Sequence, residues 1–296
     1  MADSIRNHGN SKKELFEILD KRVTKPSKNS DKTSTQAQKD FFVLLDEFQA
    51  NSQRCDMFTL EYPVFSLSRI PSTTPLHFGQ FIISPNALQG QPTMYDKELL
   101  IYVVSKLVAA QNQGHPIGRL VRFTGYDFLK FTGKGIGGQD YQRLHQALKR
   151  ISSCHIEHVT KTDNIKHTSG FTLFNYEMVE DSEKAFVQLE LHPSLLDAIQ
   201  SKKVLRLSDE YLQLSPLERR LYELARKHCG TQKEWAIGIE SLHDKIGSTR
   251  EFRFFKADFK KIAQENLLPD YHISFNQLRG LVTFTPKKGR SIGNSK

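Results

Sequence analysis

One order of elements is written twice along this chain, and that doubling restricts it to few architectures. In each copy a helix is followed by a short strand, a short helix ending in glycine, a charged amphipathic helix and a pair of strands. The later copy is the clearer. In the segment Gly247 to Leu268, GSTREFRFFKADFKKIAQENLL, Phe252, Phe255, Phe259 and Ile262 recur at spacings of three and four, so they share one helix face. Arg250, Arg253, Lys256, Lys260 and Lys261 fall mostly on the other face, against Glu251 and Asp258. Alone, such a helix is ordinarily a solvated surface element. Its recurrence within one element order gives it weight.

The earlier copy starts with a strong helix over Asp96 to Gln113, with Asp96 as its expected cap and Gly114 and Pro116 ending it. A strand is expected over 119–124, a short helix over 125–133 and a glycine-rich loop after it. Asp140 to Ser153 follows as an amphipathic helix. Its apolar stripe is Tyr141, Leu144, Leu148 and Ile151, and Gln142, Arg143, Gln146, Lys149 and Arg150 lie opposite. Three alternating stretches, HIEHVTK, GFTLFNYEMV and KAFVQLELH, read as strands. PSLLDAIQSK is a short helix joining the halves.

The order then restarts with Ser215 as cap and Pro216 in the first turn of a helix that Gly230 stops. WAIG, a short helix over 239–247, the basic helix, YHISFNQ and LVTFTP complete it. Gly133 to Ile151 spans 18 positions and Gly247 to Ile262 spans 15, so the first copy carries about three extra residues in its turn. The copies share almost no residues, and the repeat is therefore architectural.

The predicted fold is α+β, with two tandem winged-helix domains at residues 61–200 and 201–290. HIEH through QLEL supplies the first wing and its extra strands. EYPVFSLSR and GQFIISP, upstream of the first helix, have strand character. Residues 1–40 read as a flexible tail, with one short helix expected over 11–22. Residues 41–60 read as an apolar docking or packing segment, and 291–296 as a second tail.

Charge supports the same division. The 296 residues carry a formal charge of +9. Residues 201–296 hold 19 Lys and Arg against 11 Asp and Glu, whereas residues 1–200 hold 23 against 22. A polyanionic partner fits the last third best. Cys55, Cys154 and Cys229 are too scattered for a disulfide framework or a metal pair, which suits a reducing cytosol. No apolar run reaches the roughly 18 residues that span a bilayer, and the N-terminus lacks a signal-peptide core. A soluble cytoplasmic protein is expected.

No catalytic chemistry emerges. Gly133, Gly135, Gly137 and Gly138 lack the phosphate-cradling pattern, and they follow a helix where a dinucleotide fingerprint would follow a strand. His155 and His158 stand three apart in a strand and face opposite ways, so they do not share a metal. No metal, no cofactor and no catalytic residue are expected. The expected partner is double-stranded DNA, met by the second long helix of each copy. Gln142, Arg143 and Gln146 are the candidates for base edges in the first helix, because Gln suits adenine and Arg suits guanine. Arg250 and Arg253 are the candidates in the second. Lys149, Lys256, Lys260 and Lys261 suit phosphates, and Arg150 shares their face.

Five segments together resemble a known family. They are YPVFSLS (62–68), YDKELLIYVVSKL (95–107), the run from Gly125 to Arg150, LSDEYLQLSPLERRLYELARKHCG (207–230) and FKADFKKIAQENLLPDY (255–271). They cover roughly residues 60–272, and ERRLYELARKHCG is the most specific. The chain resembles the plasmid replication initiator protein A (RepA- or RPA-like) family, which is similar to TrfA-type initiators. The resemblance implies an initiator of plasmid replication that binds origin repeats, helps open an adjacent AT-rich segment and recruits host helicase and polymerase components. It also implies repression of the initiator's own promoter and a homodimer that dissociates to act. No family motif falls within the first 40 residues, and the first candidate helix is only modestly basic.

Gln38, Asp40, Phe41 and Phe42 resemble the Gln-x-Asp-Leu-Phe peptides that bind the bacterial sliding clamp. A flexible tail presenting a glutamine and two apolar anchors suits such a groove. The alternative is a short helix packing FFVLL on the first domain. Three rivals to the initiator remain at the level of sequence. They are a transcriptional regulator on the same fold, an origin-nicking enzyme, and a protein scaffold with incidental basic charge.

Overall fold

The computed structural model describes residues 42–162, 165–180 and 185–288. The chain divides into two units, Met1–Phe41 and Phe42–Lys296, and all described residues lie in the second. The helix expected over 11–22 and the tail over 291–296 fall outside the described residues.

The unit opens with β1 (Val43–Leu44), a 3-10 turn, β2 (Arg54–Asp56) and α1 (Met57–Glu61). Asp56 starts α1 because its carboxylate accepts the Thr59 backbone N–H at 2.8 Å. The segment EYPVFSLSR is therefore not a strand. It is the end of this helix followed by bends, with Pro63 blocking continuation. The described part of FFVLL, residues 42–45, does not form a packing helix either. Val43, Leu45 and Phe48 are buried, and β1 lies parallel to the strand Leu120–Phe123. β3 (Leu76–Phe78) and β4 (Phe81–Ser84) follow as a hairpin.

The first copy consists of α2 (Lys97–Asn112), β5 (Leu120–Phe123), α3 (Gly125–Phe131) and α4 (Gly138–Ser153). Four strands come next: β6 (His155–Thr162), β7 (Ile165–Phe171), β8 (Phe174–Glu180) and β9 (Ala185–Leu191). α2 is apolar over most of its length and buried on nearly every side. Asp96 does not cap it through its side chain. That carboxylate instead accepts the Thr93 N–H at 2.7 Å and the Thr93 hydroxyl at 3.0 Å, closing the turn ahead of the helix.

The strands correct the expected first wing. GFTLFNYEMV breaks between Phe171 and Phe174, so three stretches become four strands. HIEHVTK belongs to a separate sheet of order β3-β4-β6-β7. Only β8 and β9 join β5, in the order β1-β5-β9-β8. That hairpin alone is the wing of the first copy.

α5 (Pro193–Gln200) and β10 (Val204–Arg206), which pairs with β2, lead into the second copy. It consists of α6 (Pro216–His228), β11 (Trp235–Gly238), α7 (Ile239–Ile246), α8 (Phe252–Glu265), β12 (Tyr271–Asn276) and β13 (Leu281–Pro286). Ser215 and Glu218 form a capping box at the start of α6, with the Ser215 N–H donating to the Glu218 carboxylate at 2.8 Å. The sheet order is β11-β13-β12. It reproduces β5-β9-β8, with both neighbouring pairs antiparallel in each case. The doubled pattern read from sequence is thus a doubled strand topology.

The first helices of the two copies are joined by buried charge. Lys97 on α2 meets Glu223 on α6 at 2.7 Å and the Thr59 carbonyl at 2.8 Å, and Tyr211 donates to the same carboxylate at 2.5 Å. One residue on, Glu98 accepts from Arg219 at 2.9 Å and also pairs with Lys134. Arg220 donates to the Leu60 and Glu61 carbonyls at 2.7 and 2.8 Å, satisfying the orphan end of α1. A cluster of buried side chains also runs through this joint, from Cys55, Leu60 and Ile101 to Leu221, Phe255 and Phe259.

Candidate nucleic-acid interface

Each copy ends in a two-helix unit backed by a hairpin. α4 seats Leu144, Ala147, Leu148 and Ile151 in the core. The opposite face is exposed at Gln139, Gln142, Arg143 and Gln146, with Lys149 at its edge. The helix advances about 100° per residue, so Gln139, Gln142, Gln146 and Lys149 form one stripe. Arg143 pairs with Asp140 at 2.9 Å and keeps most of its surface in solvent. Arg150 is placed differently. Its guanidinium makes two bonds to Asp96, at 2.8 and 2.7 Å, and is largely buried. It ties α4 to the turn before α2 and is withdrawn from the stripe.

α8 packs Phe255 and Phe259 inside, with Phe252 and Ile262 partly buried against the same cluster. Its outward face carries Arg253, Ala257, Lys261 and Gln264, all exposed, with Lys256 and Lys260 half-buried at its side. Phe254 breaks the expected pattern, because it stands 42% exposed among the cations. Arg253 stacks on its ring at 4.5 Å and Arg250 at 5.3 Å. Arg250 also pairs with Asp258, and Arg253 with Glu251 at 2.9 Å. The small side chain of Ala257 leaves the middle of this face open.

The geometry around α8 is fixed at three points. Gly247 adopts φ +72°, and a Cβ there would stand 2.3 Å from the Pro63 Cβ, so only glycine fits. His243 Nε2 lies 2.9 Å from the Arg250 carbonyl and pins the turn into α8. Asn266, at φ +53°, ends the helix, and its side-chain oxygen accepts the Ile273 N–H at 3.1 Å. The β12–β13 hairpin is also tied in, since the Gly280 carbonyl accepts the first N–H of α7 at 2.9 Å. Its tip exposes Gln277, Leu278 and Arg279, held by Asn276 Oδ1 accepting the Arg279 N–H at 3.1 Å.

Sequence reasoning missed Gln139, Gln264 and this tip. The glutamines were legible from helical spacing, Gln139 standing three residues before Gln142 and Gln264 three after Lys261. Of the clamp-like residues, Gln38, Asp40 and Phe41 lie outside the described residues. Phe42 is half-buried, with its ring 4.5 Å beneath the Arg122 guanidinium.

Two clefts border the helices. One of about 770 Å³ runs along α8, and one of about 580 Å³ runs along α4. Arg69 lines both. Among the described residues no three His, Cys, Asp or Glu side chains gather as a metal site, and no helix is long and apolar enough to cross a membrane.

A helix, a strand, two helices and a hairpin paired to that strand make the winged-helix topology. Residues 54–273 match the family described as replication initiator protein A, and the chain belongs to that family. A relative from Wigglesworthia glossinidia brevipalpis, described as a putative replication protein, is 32% identical over 260 residues. That alignment takes in 84% of this chain and 94% of the relative. A crystal structure of domains 2 and 3 of RctB superposes with a TM-score of 0.57 over 75% of this chain and 94% of that one. At 14% identity the likeness is one of fold.

Proposed function

We propose that this protein is a sequence-specific, non-enzymatic DNA-binding initiator of plasmid replication that binds repeats at its origin. It acts through two tandem winged-helix domains, residues 61–200 and 201–290. One observation carries the reading: a family of replication initiators is joined here to a repeated order of helix, strand, two helices and hairpin, whose long helices each turn a polar face outward. α4 and α8 each enter a major groove, in successive grooves about one turn, roughly 34 Å, apart. Gln142, Arg143 and Gln146 read base edges from α4, joined by Gln139. Arg253 and Arg250 do so from α8, joined by Gln264. Lys149, Lys256, Lys260 and Lys261 hold phosphates. Arg150 acts by holding α4 in place.

Recruitment of host replication proteins, repression of its own promoter and a homodimer that dissociates before acting belong to the same reading. So does a clamp contact through Gln38, Asp40, Phe41 and Phe42. Replacing both phenylalanines by alanine should abolish capture of the sliding clamp, and unchanged capture would remove that contact.

The test is binding of the full-length protein to the DNA flanking its own gene, against scrambled DNA, at two salt concentrations. Selective footprints in regularly spaced repeats support the initiator. Footprints on a lone promoter palindrome support a regulator instead. Binding that fades equally on both DNAs as salt rises leaves only non-specific charge.

A further inference from the structure

Between α4 and α8 lies a short exposed segment to which the reading above gives no task. Arg69 lines the cleft beside α4 together with Arg143 and Gln146, and the cleft beside α8 together with Arg250 and Lys261. We propose that the Ser66–Pro71 segment enters the DNA minor groove between the two contacted major grooves, with Arg69 as the side chain that reads it. The proposal rests on the DNA-binding reading of α4 and α8.

Groove geometry supplies the first argument. Two successive major grooves facing a protein are separated by a minor groove facing the same way. A segment standing between the two helices therefore meets that groove.

Chemistry supplies the second. Arg143, Arg150, Arg250 and Arg253 each pair with a carboxylate. The Arg69 guanidinium has no ion pair or hydrogen bond among the described residues, and Ser68, Arg69 and Ile70 are all exposed. No Asp or Glu occurs between Glu61 and Asp96. The carboxylates that share the clefts of Arg69 are engaged: Asp96 with Arg150, Asp140 with Arg143, Asp258 with Arg250, Glu265 with Lys261 at 3.9 Å, and Glu218 in the cap of α6. A narrow A·T minor groove concentrates negative potential and draws arginine. Ile70, 80% exposed, is an apolar type that minor-groove proteins set against base steps.

Preorganisation supplies the third. Ser66 is pinned on both sides, its N–H donating to the Pro92 carbonyl at 2.8 Å and its carbonyl accepting the Met94 N–H at 3.0 Å. The Ser72 carbonyl accepts the Gln91 N–H at 2.7 Å. Between these anchors, Ser66 Oγ accepts the Ser68 N–H at 3.2 Å and Ser68 Oγ accepts the Ile70 N–H at 3.1 Å. Arg69 thus sits on a bend that is already formed, with little ordering left for binding to impose.

The test uses the full-length protein and a duplex recovered by its own selection from random-sequence DNA. The spacer between the two protected major-groove segments is made A·T, inosine·cytosine or G·C. Inosine·cytosine lacks the minor-groove amino group of G·C and so resembles A·T on that side. Wild type should bind the A·T and inosine·cytosine spacers on the order of 10-fold tighter than G·C. Arg69→Ala should bind all three alike, with both major-groove footprints kept. Lys233→Ala, which removes an exposed cation elsewhere, should keep the wild-type preference. The proposal is overturned if Arg69→Ala keeps that preference too, whether its affinity falls equally for all spacers or not at all. A wild-type protein that selects no sequence would instead overturn the DNA reading itself, and this proposal with it.

Discussion

α4 and α8 occupy the same place in the same topology and present different chemistry. The stripe on α4 is built from Gln139, Gln142 and Gln146, with Lys149 at its edge and Arg150 drawn off to Asp96. The face of α8 is built from Arg253, Lys261 and a single glutamine, Gln264, around Ala257, with Lys256 and Lys260 at its side and Phe254 exposed among the cations. Glutamine offers a donor and an acceptor without charge. Arginine and lysine offer charge first. On the DNA-binding reading proposed above, the first copy contributes discrimination and the second most of the salt-dependent affinity. A repeated topology conserves where a helix is held, while its outward face remains free to diverge.

The largest way to break this pairing is to unlock the joint that holds the copies together. Glu223→Gln leaves Lys97 buried without its counter-charge and should cost on the order of 3–5 kcal/mol in urea unfolding. The double variant Lys97→Met, Glu223→Leu removes this pair, leaves Arg220, 3.3 Å from the same carboxylate, on its backbone carbonyls alone, and should recover about 2 kcal/mol of the loss. If the double variant is no better than the single, the loss does not come from the stranded charge of Lys97.

The turns of the two copies offer a sharper contrast at lower cost. Gly133 and Gly247 both end the short helix at positive φ, +66° and +72°. A Cβ at Gly133 meets nothing within 4 Å, whereas one at Gly247 runs into Pro63. Gly133→Ala should therefore cost only the left-handed strain, about 1 kcal/mol. Gly247→Ala adds a backbone shift and should cost about 3 kcal/mol. Equal losses would mean that the second turn moves freely off Pro63.

At the DNA itself the effects are smaller but separate cleanly. Gln142→Ala and Gln146→Ala should each relax one position of the site by about 1–3 kcal/mol and leave the salt slope unchanged. Lys260→Ala and Lys261→Ala should each weaken all DNA and lower the slope by about one. A slope lowered equally by the glutamine variants would erase the division proposed between the helices.

What was legible in the sequence shares a common cause, and so does what was not. The stripe of Phe255, Phe259 and Ile262 was readable because helical periodicity is local. The capping box of Ser215 and Glu218 spans three residues, and Gly247 announces its own turn. The doubled order emerged because each copy repeats these local signals. Arg150 was misplaced because its partner, Asp96, lies 54 residues away. HIEHVTK was given to the wrong sheet because alternation marks a strand without naming its neighbour, and β6 pairs with β4 across a gap longer than a whole helix unit. Arg69 is a lone cation in a polar run of the sequence, and only the fold sets it where two clefts meet.

The smallest expected effect is acid sensitivity, and it has a source in each half. His192 precedes α5, and its Nδ1 faces the Ser194 hydroxyl at 2.7 Å and accepts the Ser194 N–H at 3.3 Å. Burial, with Arg119 nearby, holds the ring below its ordinary value, although Asp197 opposes the shift. His228 stacks on Trp235 and lies 3.0 Å from Glu61. Burial lowers it as well, and the cations Lys245 and Lys227 add to that against the pull of Glu61. The fold therefore favours the neutral form of both rings. The folded state resists protons that the unfolded chain accepts, so stability should be full above about pH 6.5 and fall as pH drops below it. Burial alone would raise the Glu61 carboxyl, but the His228 contact and the two lysines hold it well below the usual range. Glu61 therefore adds a second loss, below about pH 4.5, in the same direction. His192→Asn keeps an acceptor ahead of α5 without a titrating group, and His228→Phe keeps the stack on Trp235. Each should flatten the first limb in unfolding measured between pH 7.5 and 5.5, and the two together more than either. A wild-type protein equally stable at both pH values would mean that neither ring is kept neutral by the fold.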